Sequence, residues 1–216
     1  MKISLLLILS AFTPAFATAT TQSFDNAPVG QQPPGWTLTI TGKGEPKWTV
    51  ETDASAPSQP AVLKQSAQVP GPSFPLSLKD GSETQDGFVE VRFKTLSGRG
   101  DQAAGVLWRC ADRENYYVCR ANALEDNVVL YKVEKGKRSS LDIVGRRGGY
   151  GVEVKVAPQT WHTLRVEFAG NRFKVLLNGK YLFDAEDTTF GGPGRVGLWT
   201  KADSVVLFDS FNYGAK

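Results

Sequence analysis

Between Phe88 and Phe211 apolar residues recur with a period of two in short runs, and Gly, Pro, Asn or Asp closes most of them. Phe88-Val89-Glu90-Val91-Arg92-Phe93-Lys94 is the clearest run. Residues 104–110, 116–122, 127–133, 150–156, 161–168, 172–177, 181–184, 195–200 and 205–211 repeat the pattern. This period sends successive side chains to opposite faces of an extended chain, so each run reads as a half-buried strand; no stretch sustains a helical period. Asn178-Gly179 separates two of the runs. It is a strong two-residue hairpin signal, because both turn positions require positive φ. Lys135-Gly136 is a weaker one. Many short strands joined by tight turns predict an all-β sandwich or barrel.

Residues 26–87 are less regular. Pro33-Pro34-Gly35-Trp36 reads as a rigid turn into a strand over 36–41, Trp48 opens another strand, and 53–60 and 69–75 read as loops. No linker or internal repeat divides the chain. The first residues have the anatomy of an export signal: Lys2, an apolar stretch over 3–16, then Ala15-Phe16-Ala17 with Ala17-Thr18-Ala19 as a second cleavage choice,. The expected organisation is therefore a signal peptide over 1–19 and one β domain over 20–216, secreted or periplasmic, with no membrane span. A remainder of about 200 residues can bury a substantial core.

The formal net charge of +3 falls by one with Lys2, which lends no support to nucleic-acid binding. A single histidine, His162, excludes chemistry that needs two, and two cysteines exclude a Cys-rich zinc site,.

Several segments together resemble the concanavalin A-like lectin/glucanase superfamily. They are Phe24-Asp25-Asn26, Pro34-Gly35-Trp36, Trp108-Arg109, Asn115-Tyr116-Tyr117, 161–166, Asn178-Gly179, 197–204 and Phe208-Asp209. Within it, the chain is most similar to secreted bacterial laminin-G-like domains and to domains named after 3-keto-disaccharide hydrolases. The resemblance implies a two-sheet antiparallel jelly-roll sandwich with one concave, often glycan-binding sheet. Such folds host many functions, so activity does not follow. It also implies a structural calcium near the chain ends, for which Asp25 and Asp209 are the oxygen donors on offer; both also suit turn formation.

Centring a hairpin on Glu114-Asn115 puts Cys110 opposite Cys119, and in an oxidising compartment that register predicts a disulfide. The alternative is two buried thiols acting as small apolar residues. The same register turns Val106, Trp108, Cys110, Tyr117, Cys119 and Ala121 to the core. It makes Arg109 and Arg120 cross-strand neighbours on the open face beside Asn122. A four-residue loop over 123–126 brings Asn127 beside Asn122 and puts Tyr131 on that face. Arg109, Arg120, Asn122, Asn127 and Tyr131 are thus the candidate ligand-binding set, combining stacking with bidentate hydrogen bonds; an internal salt-bridge lattice is the competing reading. Trp36, Trp48, Trp161 and Trp199 are sugar platforms or core residues. Lys135, Lys137, Arg138, Arg146 and Arg147 form a basic cluster that attracts an anionic polysaccharide or is solvated loop charge.

No complete catalytic motif is present. Glycosidases of the superfamily carry closely spaced carboxylates on one strand, whereas Glu51-Thr52-Asp53 lacks a third partner. Glu125-Asp126 and Glu186-Asp187 are adjacent pairs that point apart. His162 has no evident nucleophile beside it. The preferred expectation is a non-catalytic module binding carbohydrate or cell-surface polysaccharide. The alternatives are a hydrolase of the 3-keto-disaccharide type, with Glu125 or Asp203 as acid/base, and a structural envelope protein.

Overall fold

A computed structural model describes residues 18–216; the predicted signal peptide lies outside them except for its last two residues. The strands are β1 (Thr18–Gln22), β2 (Trp36–Thr41), β3 (Trp48–Thr52), β4 (Ala61–Gln65), β5 (Phe74–Lys79), β6 (Gly87–Ser97), β7 (Ala103–Asp112) and β8 (Asn115–Asn122). They continue as β9 (Asn127–Glu134), β10 (Lys137–Ser140), β11 (Val152–Glu153), β12 (His162–Ala169), β13 (Arg172–Leu177), β14 (Lys180–Glu186), β15 (Arg195–Thr200) and β16 (Val205–Ala215). No helix occurs among the described residues, and none is long and apolar enough to cross a membrane.

Two eight-stranded antiparallel sheets face each other. The first runs β14-β13-β12-β6-β16-β4-β3 with β1 against β16, and the second runs β10-β9-β8-β7-β15-β5-β2 with β11 against β9. This is the expected jelly-roll sandwich. Alternation fixes which side chains go inward. In β12, His162, Leu164, Val166 and Phe168 are buried while Thr163, Arg165 and Glu167 are partly exposed. Trp108 sits at the centre of the inter-sheet core, its ring 5.5 Å from Tyr117, 5.8 Å from Phe168 and 5.2 Å from Phe173. Asn178 and Gly179 both take positive φ, +52° and +74°, and join β13 to β14 as the hairpin chemistry requires,. Lys135 and Gly136 do the same between β9 and β10.

Three features depart from expectation. Residues 61–65 and 74–79, in the irregular third of the chain, are strands, whereas 150–156 contributes only β11. The β7–β8 hairpin pairs Trp108 with Tyr117, Val106 with Cys119 and Gly105 with Arg120, so Cys110 lies opposite Arg195 of β15 rather than Cys119. Both thiols are free. Cys119 packs between the sheets and Cys110 on the outer side of the second sheet, so the predicted disulfide does not form.

The cause is a bulge at Arg109, which adopts φ +48°. A bulge reverses the facing of every later residue in its strand. The backbone just before β15 approaches this kink closely. A Cβ on Gly194 would lie 2.5 Å from the Arg109 carbonyl carbon, so only glycine fits there,.

Candidate functional site

The outer face of the second sheet is not a simple polar surface. Leu107, Tyr116, Val118, Val129, Tyr131, Val133, Phe74 and Trp199 form a second buried cluster there. Charged and polar groups are set into it at the end near the β8–β9 loop. Asn122 pairs with Asn127 across that loop, as expected from its length. Arg120, Asn122, Asn127 and Tyr131 are brought to this one face.

Arg109 is not among them. Its positive φ redirects the side chain, and the guanidinium donates to the carbonyls of Gln85 (2.8 Å), Phe190 (2.9 Å) and Gly170 (2.6 Å) and to Asp86 Oδ1 (3.1 Å). It lies over Phe168 and Phe173 as a buried structural tie. Arg109 and Arg120 are therefore not cross-strand neighbours; Arg120 lies opposite Gly105.

Arg120 is 1 % exposed. Its NH2 donates to Glu125 Oε2 at 2.7 Å, to the Tyr131 hydroxyl at 3.0 Å and to the Tyr150 hydroxyl at 3.1 Å; its NH1 donates to Asn127 Oδ1. The Tyr131 and Tyr150 hydroxyls also share a hydrogen bond. The Asn127 amide donates back to Glu125 Oε2 at 3.1 Å. Asn122 serves a separate purpose, donating to Asp101 Oδ1 at 2.8 Å and accepting the Leu124 N–H at 2.9 Å, which fixes the loop. Lys201 closes this second set by pairing with Asp101.

A buried arginine is tolerable only when paired and hydrogen-bonded, and this one is. The neighbouring charges work in the direction this requires. Burial pushes the Glu125 carboxyl up, but the Arg120 guanidinium and the Asn127 amide reverse this and hold it below its ordinary value,. Burial raises the Tyr131 phenol well above its ordinary value and keeps it protonated.

What reaches solvent is the rim of this set. Tyr150 is 46 % exposed and the Glu125 side chain 38 % exposed. Tyr150 arrives from the long connection between β10 and β12, and the backbone just after it presses on β9. A Cβ on Gly151 would lie 2.2 Å from the Val128 carbonyl oxygen. Sequence reasoning missed Tyr150 as a site residue. The run over 150–156 reads as a strand but only 152–153 forms one, and the available signal of a loop was the glycines around the tyrosine, Gly148, Gly149 and Gly151,.

The other candidates fall outside this set. Trp36 and Trp48 are in the inter-sheet core, and Trp199 is wholly buried under the outer face. Trp161 lies on the first sheet, where Lys94 sits over its ring and its Nε1 donates to Ser55. His162 is bound through Nε2 to the Ala157 carbonyl and through Nδ1 to Asn178. Asp203 accepts the backbone N–H groups of Arg99, Gly100 and Asp101, which hold its carboxyl below the ordinary value against the effect of burial. Asp25 accepts the Ala61 N–H, and Asp209 accepts both the N–H and the hydroxyl of Ser58. Both carboxylates thus hold the segment leading into β4. Among the described residues no three His, Cys, Asp or Glu side chains gather as cation ligands.

A family profile described as the 3-keto-alpha-glucoside-1,2-lyase-like domain matches residues 20–211. The chain belongs to that family. It is 29 % identical to the levanase of Bacillus subtilis (strain 168) over 144 residues, which cover 65 % of this chain but only 19 % of the levanase. Among solved structures it resembles the carbohydrate binding module CBM66 from Bacillus subtilis, with TM-score 0.63 and 23 % identity over 82 % of this chain and 94 % of that one. It also resembles the cellulose induced protein Cip1, with TM-score 0.62 and 12 % identity over 90 % and 96 % of the two chains. At such identities the structural likeness is one of fold.

Proposed function

We propose that the protein is an exported glycan-binding module that acts without catalysis through the outer face of its second sheet. The observation that carries the reading is the Tyr150–Glu125 pair. A half-exposed ring and a half-exposed carboxylate are both anchored to one buried guanidinium. Sugar recognition needs a flat apolar surface for the ring face and fixed acceptors for its hydroxyls. Anchoring both groups in advance lowers the entropy lost on binding. The matched levanase and the fold shared with a carbohydrate binding module support this reading.

Electrostatics weigh against catalysis. A glycosidase needs one carboxyl kept protonated near neutral pH. Every carboxyl with a resolved shift among the described residues is moved down instead: Asp53, Glu125, Asp126, Asp187 and Asp203. The family description favours a second reading, lyase-like action on a 3-keto glucoside. In that reading Glu125, held ionised beside Tyr150, takes up a proton from the substrate.

A glycan array probed with the protein starting at Thr18 separates these readings. Binding that weakens at least tenfold in Tyr150→Ala, at an unchanged melting temperature, supports the module. No binding to any glycan, or turnover of a 3-keto disaccharide that disappears in Glu125→Gln, overturns it.

A further inference from the structure

The same outer face holds a second concavity that the Arg120 set does not use. It is a cleft of about 520 Å³ lined by Pro72, Phe74, Gly136, Lys137, Arg138 and Lys201. No carboxylate lines it. The Arg138 guanidinium lies 4.3 Å from the ring centre of Tyr131, 5.1 Å from Phe74 and 5.7 Å from Trp199. Tyr131 also accepts from Arg120, so the cleft adjoins the Tyr150 platform.

Two of the three cations lining this cleft, Lys137 and Arg138, are not compensated within it. Lys201 is paired with Asp101. Among the described residues, Lys137 and Arg138 make no ion pair within 4.0 Å, and neither do Lys135, Arg146 and Arg147. Arg138 NH1 is buried with no hydrogen-bond partner. Aromatic faces attract a guanidinium but leave its in-plane N–H groups without acceptors. A buried charged donor left without an acceptor bears the full desolvation penalty. Arg138 as a whole is only partly buried and lines the cleft, so an anion entering from outside meets the rest of its guanidinium, whose planar fork matches a carboxylate.

We propose that this cleft takes the carboxylate of a uronic acid, so that the glycan held by the face is an acidic polysaccharide. The proposal rests on the glycan-binding reading and narrows it to one substrate class.

The test titrates the protein with a galacturonate oligosaccharide and with its methyl-esterified, neutral counterpart. The wild type is expected to bind the free acid at least tenfold more tightly. That preference should fall steeply between 50 and 500 mM salt, as expected of an ionic contact. Arg138→Gln should abolish the preference, and Arg138→Lys should recover only part of it, because an ammonium lacks the fork. The wild-type comparison needs no variant, so a misfolded substitution does not spoil the test. Equal binding of acid and ester, or a folded Arg138→Gln protein that keeps the preference, overturns the proposal. Binding of neutral glycans alone also overturns it while leaving the module reading intact; absence of binding to any glycan overturns both.

Discussion

The Arg120 guanidinium donates to the Tyr150 hydroxyl at 3.1 Å, joining the centre of the second sheet to a glycine-rich loop thirty residues later. A buried charge thus sets the position of an exposed ring. Four side chains, Glu125, Asn127, Tyr131 and Tyr150, are tied to that one cation by hydrogen bonds.

Arg120→Ala should therefore be among the most damaging single substitutions. Removing one partner of a buried ionic set costs about 3–5 kcal/mol, or a fall in melting temperature of roughly 10 °C for a chain of this size. Thermal denaturation checks this. Tyr150→Phe keeps the ring and loses only a hydroxyl at the rim, so its melting temperature should stay within about 3 °C of the wild type.

Acid should weaken the same set. Glu125 has a folded-state pKa below its ordinary 4.5. Its contribution to stability is then full above 4.5 and is lost as pH falls through the lower folded value. Asp187 and Asp203 shift the same way, so the wild type should lose stability below about pH 4.5,. Glu125→Gln should be less stable than the wild type at pH 7, and the gap should narrow by pH 3. A gap independent of pH, measured by urea denaturation, would contradict this.

The cysteines give a chemical check on the register. Burial pushes the Cys110 thiol up to about 12 and raises Cys119 further, so neither should react with iodoacetamide in the folded protein at pH 8. After unfolding without reductant, mass spectrometry should find both alkylated. A mass two hydrogens short, with labelling only after reduction, would restore the disulfide.

On the proposed reading of an exported protein, strand β1 constrains where the signal is cleaved. Thr18 pairs with Ala215 and Ala19 with Gly214. Cleavage after Ala17 keeps both pairs, and cleavage after Ala19 discards them. Intact-mass measurement of the exported protein should place its first residue at Thr18.

Much of the fold was legible because its cues are local. Asn178-Gly179 names a turn by its own backbone needs, and the four-residue loop over 123–126 correctly placed Asn127 beside Asn122. The bulge at Arg109 was hidden, because nothing in the residue types of 104–110 marks where the backbone slips. That one residue misplaced Cys110 and sent Arg109 to the wrong face. Tyr150 was hidden for another reason. Its run over 150–156 reads as a strand of which only 152–153 forms, so only the three-dimensional path of 141–151 brings it to Arg120. Arg120, Asn127 and Tyr131 were found together, but as groups meeting a ligand directly. Their burial makes them the support beneath Tyr150 and Glu125.

The most direct test of a glycan site built on that support is a nuclear magnetic resonance titration with the best ligand from the array. The Tyr150 ring and the amides of 124–127 should shift first and saturably, with the indoles of Trp36 and Trp48 unmoved. Shifts confined to the outer face of the first sheet, around Trp161 and Lys174, would place the site elsewhere and contradict it.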